Sequence, residues 1–251
     1  MIAGFPMYDR PELRAAHAAF WDQIRSELGY GPLELSTPTD LPAFWRAPDL
    51  VLGQTCGLPF RSYLWPDVNY VCTPDYGLPD CPQGYYNSVI LVHNTGPLHE
   101  ISDLSRRTFA YNEALSQSGW AGPITYLNML GIHLGAGRMK GAHLNSITAV
   151  IDGTADVCAV DAQTYRLFQR YDPRADLVRE IGRTTPTPAL PMICSPHYDP
   201  TPIAAALRNG LNKLTSQHRQ DLGIERYVML DVATYRNVNT PPSPDEVFDK
   251  N

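Results

Sequence analysis

The chain has 251 residues, 43% of them hydrophobic and 18% charged, with a net charge of -6. That excludes a disordered chain and leaves room for one large domain or two smaller ones with true cores. Acidic and basic residues are scattered and only Arg106 and Arg107 are adjacent, so the positive stripe that nucleic acid requires is missing.

No run approaches the ~18 apolar residues of a membrane helix. The start, Met1 to Pro6, lacks a basic region, and Pro6 and Asp9 interrupt any apolar one. The chain therefore reads as cytoplasmic, or as given without its leader. The five cysteines, at 56, 72, 81, 158 and 194, form no metal-ligand pattern. Cys72 and Cys81 read equally as a small loop disulfide or as two thiols.

Ile2 to Pro6 predicts a first strand. Asp9 then caps a helix with Pro11 in its first turn, and Leu13, Ala16, Phe20, Ile24 and Leu28 give it one apolar face. Strands follow at Leu50 to Leu52, Val68 to Cys72 and Tyr86 to Val92, the last a continuous apolar run of the buried type. Thr108 to Tyr111 predicts a strand. A polar loop, 112–119, and a helix to about Leu130 come next. A second helix covers His143 to Ile151 and stops at Gly153. Val157 to Val160 is a strand, with a helix from Asp161 to about Tyr171, and Leu177 to Ile181 another strand. The stiff run Thr184 to Pro188 leads to Met192–Ser195, a helix from about Pro202 to Gln217, and a strand at Tyr227 to Leu230.

This alternation predicts an α/β fold with mixed, mostly parallel sheets flanked by helices. It also predicts a split architecture: residues 1–92 and 186–251 as one lobe, with 93–185 inserted as the other and the two crossings acting as a hinge.

The segment from Asn112 to Trp120 carries most of the chemistry. It follows a strand and opens a helix, where unpaired N–H groups and a partial positive charge suit a small anion. Ser116, Gln117 and Ser118 add side-chain donors, and Gly119 permits close backbone approach. A second reading is that Ser118 merely caps the helix. His143, at another helix start, reads as a ligand donor, as a cap or as a surface residue. Thr55 and Cys56 follow a strand as a further donor pair, or as an ordinary turn. Tyr8 faces a cleft or packs, and Asp161 orients a cationic ligand group or caps its own helix. No G-x-S-x-G, H-E-x-x-H or P-loop occurs, and Gly135-Ala136-Gly137 matches a dinucleotide fingerprint only loosely. His93 and His99 have no third ligand nearby, so neither a metal nor a cofactor is expected.

Taken in order, Met7-Tyr8-Asp9, Gln54-Thr55-Cys56-Gly57, Gly84-Tyr85-Tyr86-x-Ser88-Val89, Ser116-Gln117-Ser118-Gly119-x-x-x-Pro123, Gly141-Ala142-His143 and Ala155-Asp156-Val157-x-Ala159 form a pattern over nearly the whole chain. It resembles the phosphate/phosphite/phosphonate-binding proteins of ABC importers. The resemblance implies a two-lobed type II periplasmic-binding-protein fold that traps a small oxyanion, with no catalysis. It implies a monomer located in the periplasm that works with an ABC transporter membrane component. It also implies that the serine loop holds the phosphonate oxygens and that His143 contacts the ligand. Family members that take aminoalkyl-phosphonates carry an aromatic residue near the position of Cys56, and carboxylates for the amine. Here Cys56 and Ala189-Leu190-Pro191 stand in those places, with Glu113 and Asp161 as substitute carboxylates, so phosphate and phosphite fit as well as a phosphonate. An enzyme on the same fold using His143 or Cys56, or a cytoplasmic ligand sensor, is the alternative.

Overall fold

A computed structural model describes residues 1–248. The strands are β1 (Ile2–Gly4), β2 (Leu50–Gln54), β3 (Asn69–Asp75), β4 (Tyr85–Tyr86), β5 (Ser88–His93), β6 (Thr108–Tyr111), β7 (Ala136–Met139), β8 (Val157–Asp161), β9 (Val178–Arg183), β10 (Thr187–Pro188), β11 (Met192–Cys194) and β12 (Arg226–Val228). The helices are α1 (Arg14–Leu28), α2 (Leu41–Trp45), α3 (Gly57–Pro59), α4 (Gly122–Met129), α5 (His143–Ile151), α6 (Ala162–Tyr171), α7 (Pro200–Lys213), α8 (Ser216–Leu222), α9 (Val232–Arg236) and α10 (Pro244–Phe248). None of the described helices is long and apolar enough to cross a membrane.

The chain forms two compact units. Unit 1 comprises Met1–Tyr85 and Pro188–Asn237, and its sheet runs β1-β2-β11-β3-β12. Helix α1 turns Ala16, Phe20 and Ile24 of the expected stripe inward together with Trp21; it starts at Arg14 without a side-chain cap, not at Asp9, and stops at Gly29, whose φ of 75° favours glycine. Its face meets the Ile203, Ala204, Leu207 and Leu211 face of α7 over Val51, Leu52 and Val71 of the sheet. The predicted helix to Gln217 is two helices. It breaks after Lys213 because Thr215 accepts from His218 N at 3.2 Å and caps a new one, α8.

Unit 2 runs from Tyr86 to Thr187 and resumes at Val238. Its sheet order is β7-β6-β8-β5-β9, over a core that includes Ile90, Phe109, Trp120, Ile124 and Val157. Strand β5 lies inside this sheet, paired with β8 and β9. The apolar run around 88–92, expected to close the first lobe, thus opens the second unit. A continuous apolar pattern specifies burial on both faces but not which sheet provides it. The C-terminal segment was also expected in the first lobe. Instead Val247 and Phe248 pack on the unit 2 core, and Pro242 O accepts from Trp120 Nε1 at 3.1 Å.

Both sheets are mixed, with less parallel pairing than expected. The pairs β1/β2, β6/β7 and β6/β8 are parallel, whereas β11 and β5 each pair antiparallel on both sides. These two strands enter their sheets directly after the chain changes unit, without the helical crossover that a parallel connection requires. Strand β7 was not predicted. It is an edge strand of unit 2 in which a Cβ on Gly137 would lie 2.2 Å from Phe248 Cε2. Gly137, and Gly135 just before the strand, serve packing, against Phe248 and the Arg106 backbone respectively. No disulfide joins Cys72 and Cys81.

Candidate functional site

Three parallel strands, β7, β6 and β8, end at one edge of the unit 2 sheet. Groups that follow their carboxyl ends are therefore brought together, as in other open α/β sheets. After β6 come Asn112 and the serine loop, after β7 comes His143, and the last residue of β8 is Asp161. Backbone bonds hold the first two connections in register: Lys140 N donates to Tyr111 O, and Gly141 N to Asn112 O, each at 2.8 Å.

The serine loop continues as a π-turn, Gln117–Ala121, that runs into α4 with Pro123 in its first turn. The cap of this helix is Ser116, not Ser118: Ser116 Oγ accepts from Gly119 N at 2.9 Å. That leaves Ser118 Oγ to meet His143 Nε2 at 3.0 Å. The same Nε2 lies 3.5 Å from Asp161 Oδ2. Asp161 also caps α6, taking Thr164 N at 2.8 Å and Thr164 Oγ1 at 2.5 Å. The buried carboxylate thus caps its own helix, one of the two readings of the sequence, and it also faces His143. Its side chain is 4% exposed, against 17% for His143.

Burial pushes the His143 pKa below the usual histidine value, and the Asp161 carboxylate offsets this only partly. At neutral pH the imidazole is neutral. A carboxylate only accepts, so Asp161 assigns the proton to Nε2, which points it along the Ser118–Asp161 side. The Ser118 hydroxyl hydrogen is then available to a ligand oxygen. Gly119 is required by close approach, since a Cβ there would lie 1.8 Å from Asn112 Oδ1 and 3.2 Å from His143 Cε1. Gly119→Ala is expected to displace both side chains at a cost of about 1–3 kcal/mol. Denaturant unfolding of the variant measures it, and unchanged stability would mean that the loop opens freely.

The remaining candidates, Tyr8, Thr55 and Cys56, belong to unit 1. Thr55 follows β2; its N–H donates to Pro191 O at 3.0 Å, and its Oγ1 is buried with no partner. Cys56 precedes α3, and its carbonyl accepts from Phe60 N at 3.1 Å. Tyr8 is buried, with its ring edge-on to Tyr76 at 5.5 Å, and Tyr76 OH accepts from Gln54 Nε2 at 2.9 Å. Sequence reasoning quoted Gln54 only as part of a motif, without a role, and missed Tyr76 and Thr164. A buried Gln at a strand end was the available signal for Gln54. Ala189 and Leu190 are buried and carry no ionisable group, and Ala189 O accepts from Tyr235 OH at 2.6 Å. Among the described residues no cluster of three or more His, Cys, Asp or Glu could hold a metal ion.

No relative was found among curated proteins. Several solved structures share the fold. The protein PhnD1 of Prochlorococcus marinus, in complex with methylphosphonate, has a TM-score of 0.75 at 18% identity over 94% of each chain. A binding-protein component of an ABC phosphonate transporter from Pseudomonas aeruginosa has a TM-score of 0.70 at 13% identity, covering 94% of this chain and 82% of its own. The arginine-, lysine-, histidine-binding protein ArtJ of Geobacillus stearothermophilus has a TM-score of 0.58 at 13% identity over 98% of each chain. These place the chain in the type II periplasmic-binding-protein fold. The family model described as "ABC transporter, phosphonate, periplasmic substrate-binding protein" matches residues 71–235, about two thirds of the sequence. The chain belongs to the family of periplasmic substrate-binding proteins of phosphonate ABC transporters.

Proposed function

We propose that this chain binds a small oxyanion of the phosphonate, phosphite or phosphate class, leaves it chemically unaltered, and delivers it as a monomer, outside the cytoplasm, to an ABC transporter membrane component. The observation that carries the reading is the line Ser118–His143–Asp161 beside Gly119, at the shared carboxyl edge of three parallel strands. Ser118 Oγ and Gln117 supply donors to the anionic oxygens, and Ser116, which takes Gly119 N, holds the loop that presents them. Neutral donors in a dehydrated site suit an anion without requiring a fixed cation. The apolar Ala189-Leu190-Pro191 segment supports a ligand without an amine. Tyr8, Thr55 and Cys56 of unit 1 are proposed as ligand contacts and are tested in the same assay.

Ser118→Ala removes one hydrogen bond to a charged oxygen, a loss of about 1.5–3 kcal/mol, or roughly tenfold to a hundredfold in affinity. Isothermal calorimetry with methylphosphonate, phosphite and phosphate measures it, with circular dichroism confirming an intact fold. Equal affinity in wild type and variant would remove the serine loop from the site. Phosphorus NMR of ligand incubated with the protein decides between binding and catalysis: new resonances that vanish in His143→Ala would mark an enzyme.

A further inference from the structure

Two polar side-chain atoms beside Gly119 are buried and bond to nothing: Asn112 Oδ1 and His143 Nδ1. The two side chains border the same point, since a methyl group on Gly119 would touch both Asn112 Oδ1 and His143 Cε1, the ring carbon to which Nδ1 is bonded. Asn112 directly follows β6, and its carbonyl accepts from Gly141 N, which fixes it against the loop that carries His143.

The chemistry of the pair follows from the tautomer. With the imidazole proton on Nε2, facing Ser118 Oγ and Asp161 Oδ2, Nδ1 presents a lone pair. The amide oxygen of Asn112 likewise only accepts. Two acceptors set together in a buried place are poorly matched to a fully deprotonated oxygen, whose lone pairs would face theirs. They are well matched to an O–H group. The Ser118 hydroxyl, on the other side of the imidazole, is a donor and suits a charged oxygen. The site therefore has a donor side and an acceptor side.

Resting on the reading that this edge of unit 2 binds an oxyanion, we propose that Asn112 is a specificity-determining residue. With His143 Nδ1 it accepts the P–OH hydrogen of a singly protonated phosphonate or phosphite, and so excludes sulfur oxyanions of the same shape. Sulfonates and sulfate carry no proton at neutral pH, and a site built around a ligand O–H rejects the analogue lacking it.

Methanesulfonate is the decisive probe. It has the shape of methylphosphonate and the charge of its singly protonated form, but no O–H. Calorimetry on the full chain should find methanesulfonate weaker than methylphosphonate by about a hundredfold or more. Asn112→Ala should weaken methylphosphonate about tenfold while leaving methanesulfonate unchanged, so that the preference shrinks. A purely structural asparagine would weaken both alike. Equal affinity of the wild-type chain for the two anions overturns the proposal, as does an equal loss for both in Asn112→Ala. Should that variant lose its native circular dichroism, Asn112→Asp keeps an acceptor oxygen and must retain the preference; equal affinities there also overturn it. If phosphite, phosphate and methylphosphonate all fail to bind the wild type, the oxyanion reading itself falls, and this inference with it.

Discussion

Trp120→Ala is expected to destabilise the protein by about 3–5 kcal/mol. Trp120 is 1% exposed and fills the centre of the unit 2 core. Its ring centroid lies 5.0 Å from that of Tyr111 and 5.7 Å from that of Phe248, with Phe109 at 6.4 Å. Removing the indole leaves a cavity bounded by a strand, a helix start and the C-terminal segment, three elements that cannot all close on it. It also leaves Pro242 O without its indole donor. Since Trp120 lies in the same turn as Ser118, methylphosphonate affinity should fall along with stability. Urea unfolding monitored by circular dichroism is the measurement: the midpoint should drop sharply while the slope stays constant. A loss below about 1 kcal/mol would mean that the turn is held by its backbone bonds alone. Trp120→Phe, which keeps most of the volume, should cost less.

Acid should weaken the fold well above the carboxylate range, through His17. Burial lowers its pKa from 6.5 to about 4, opposed only in part by the Asp9 carboxylate. Above pH 6.5 the imidazole is neutral in both folded and unfolded chains, and it contributes no pH dependence. Between pH 6.5 and about 4 the unfolded chain takes up a proton that the folded chain refuses, so stability falls as the pH falls through that window. The shift sets an upper limit of about 3 kcal/mol on this loss. His143 is depressed in the same direction and adds to the same slope. Unfolding curves at pH 7 and pH 4.5 for the wild type and His17→Gln separate the two: the variant should lose the part of the acid sensitivity that His17 contributes and keep the part from His143. An identical pH dependence in both would place the His17 ring in contact with water.

The serine loop shows how far sequence reasoning reached into the site. The strand, the polar loop, the helix and the glycine between them are local features, so the strand–loop–helix form of this segment was legible from spacing. Which serine caps and which faces a ligand was not. Ser116 and Ser118 are both plausible caps by type, and only the Gly119 N–H bond to Ser116 Oγ decides between them. Asp161 was readable as a cap because Thr164 stands three residues on. Its approach to His143 was not readable, because it depends on β8 lying beside β6 and β6 beside β7.

The local pattern of apolar and capping residues determined the α/β class, most of the strands and helices, and the residue types available for an anion. Those properties depend on neighbours within a few positions, where periodicity and hydrogen-bond geometry act directly. Only the tertiary structure decided that Ser88–His93 joins the second sheet, that the segment ending at Phe248 returns to the second unit, and that Asn112, Ser118, His143 and Asp161 meet. Each of these depends on which strands pair across long stretches of chain, a choice made by burial of whole faces that no local pattern encodes.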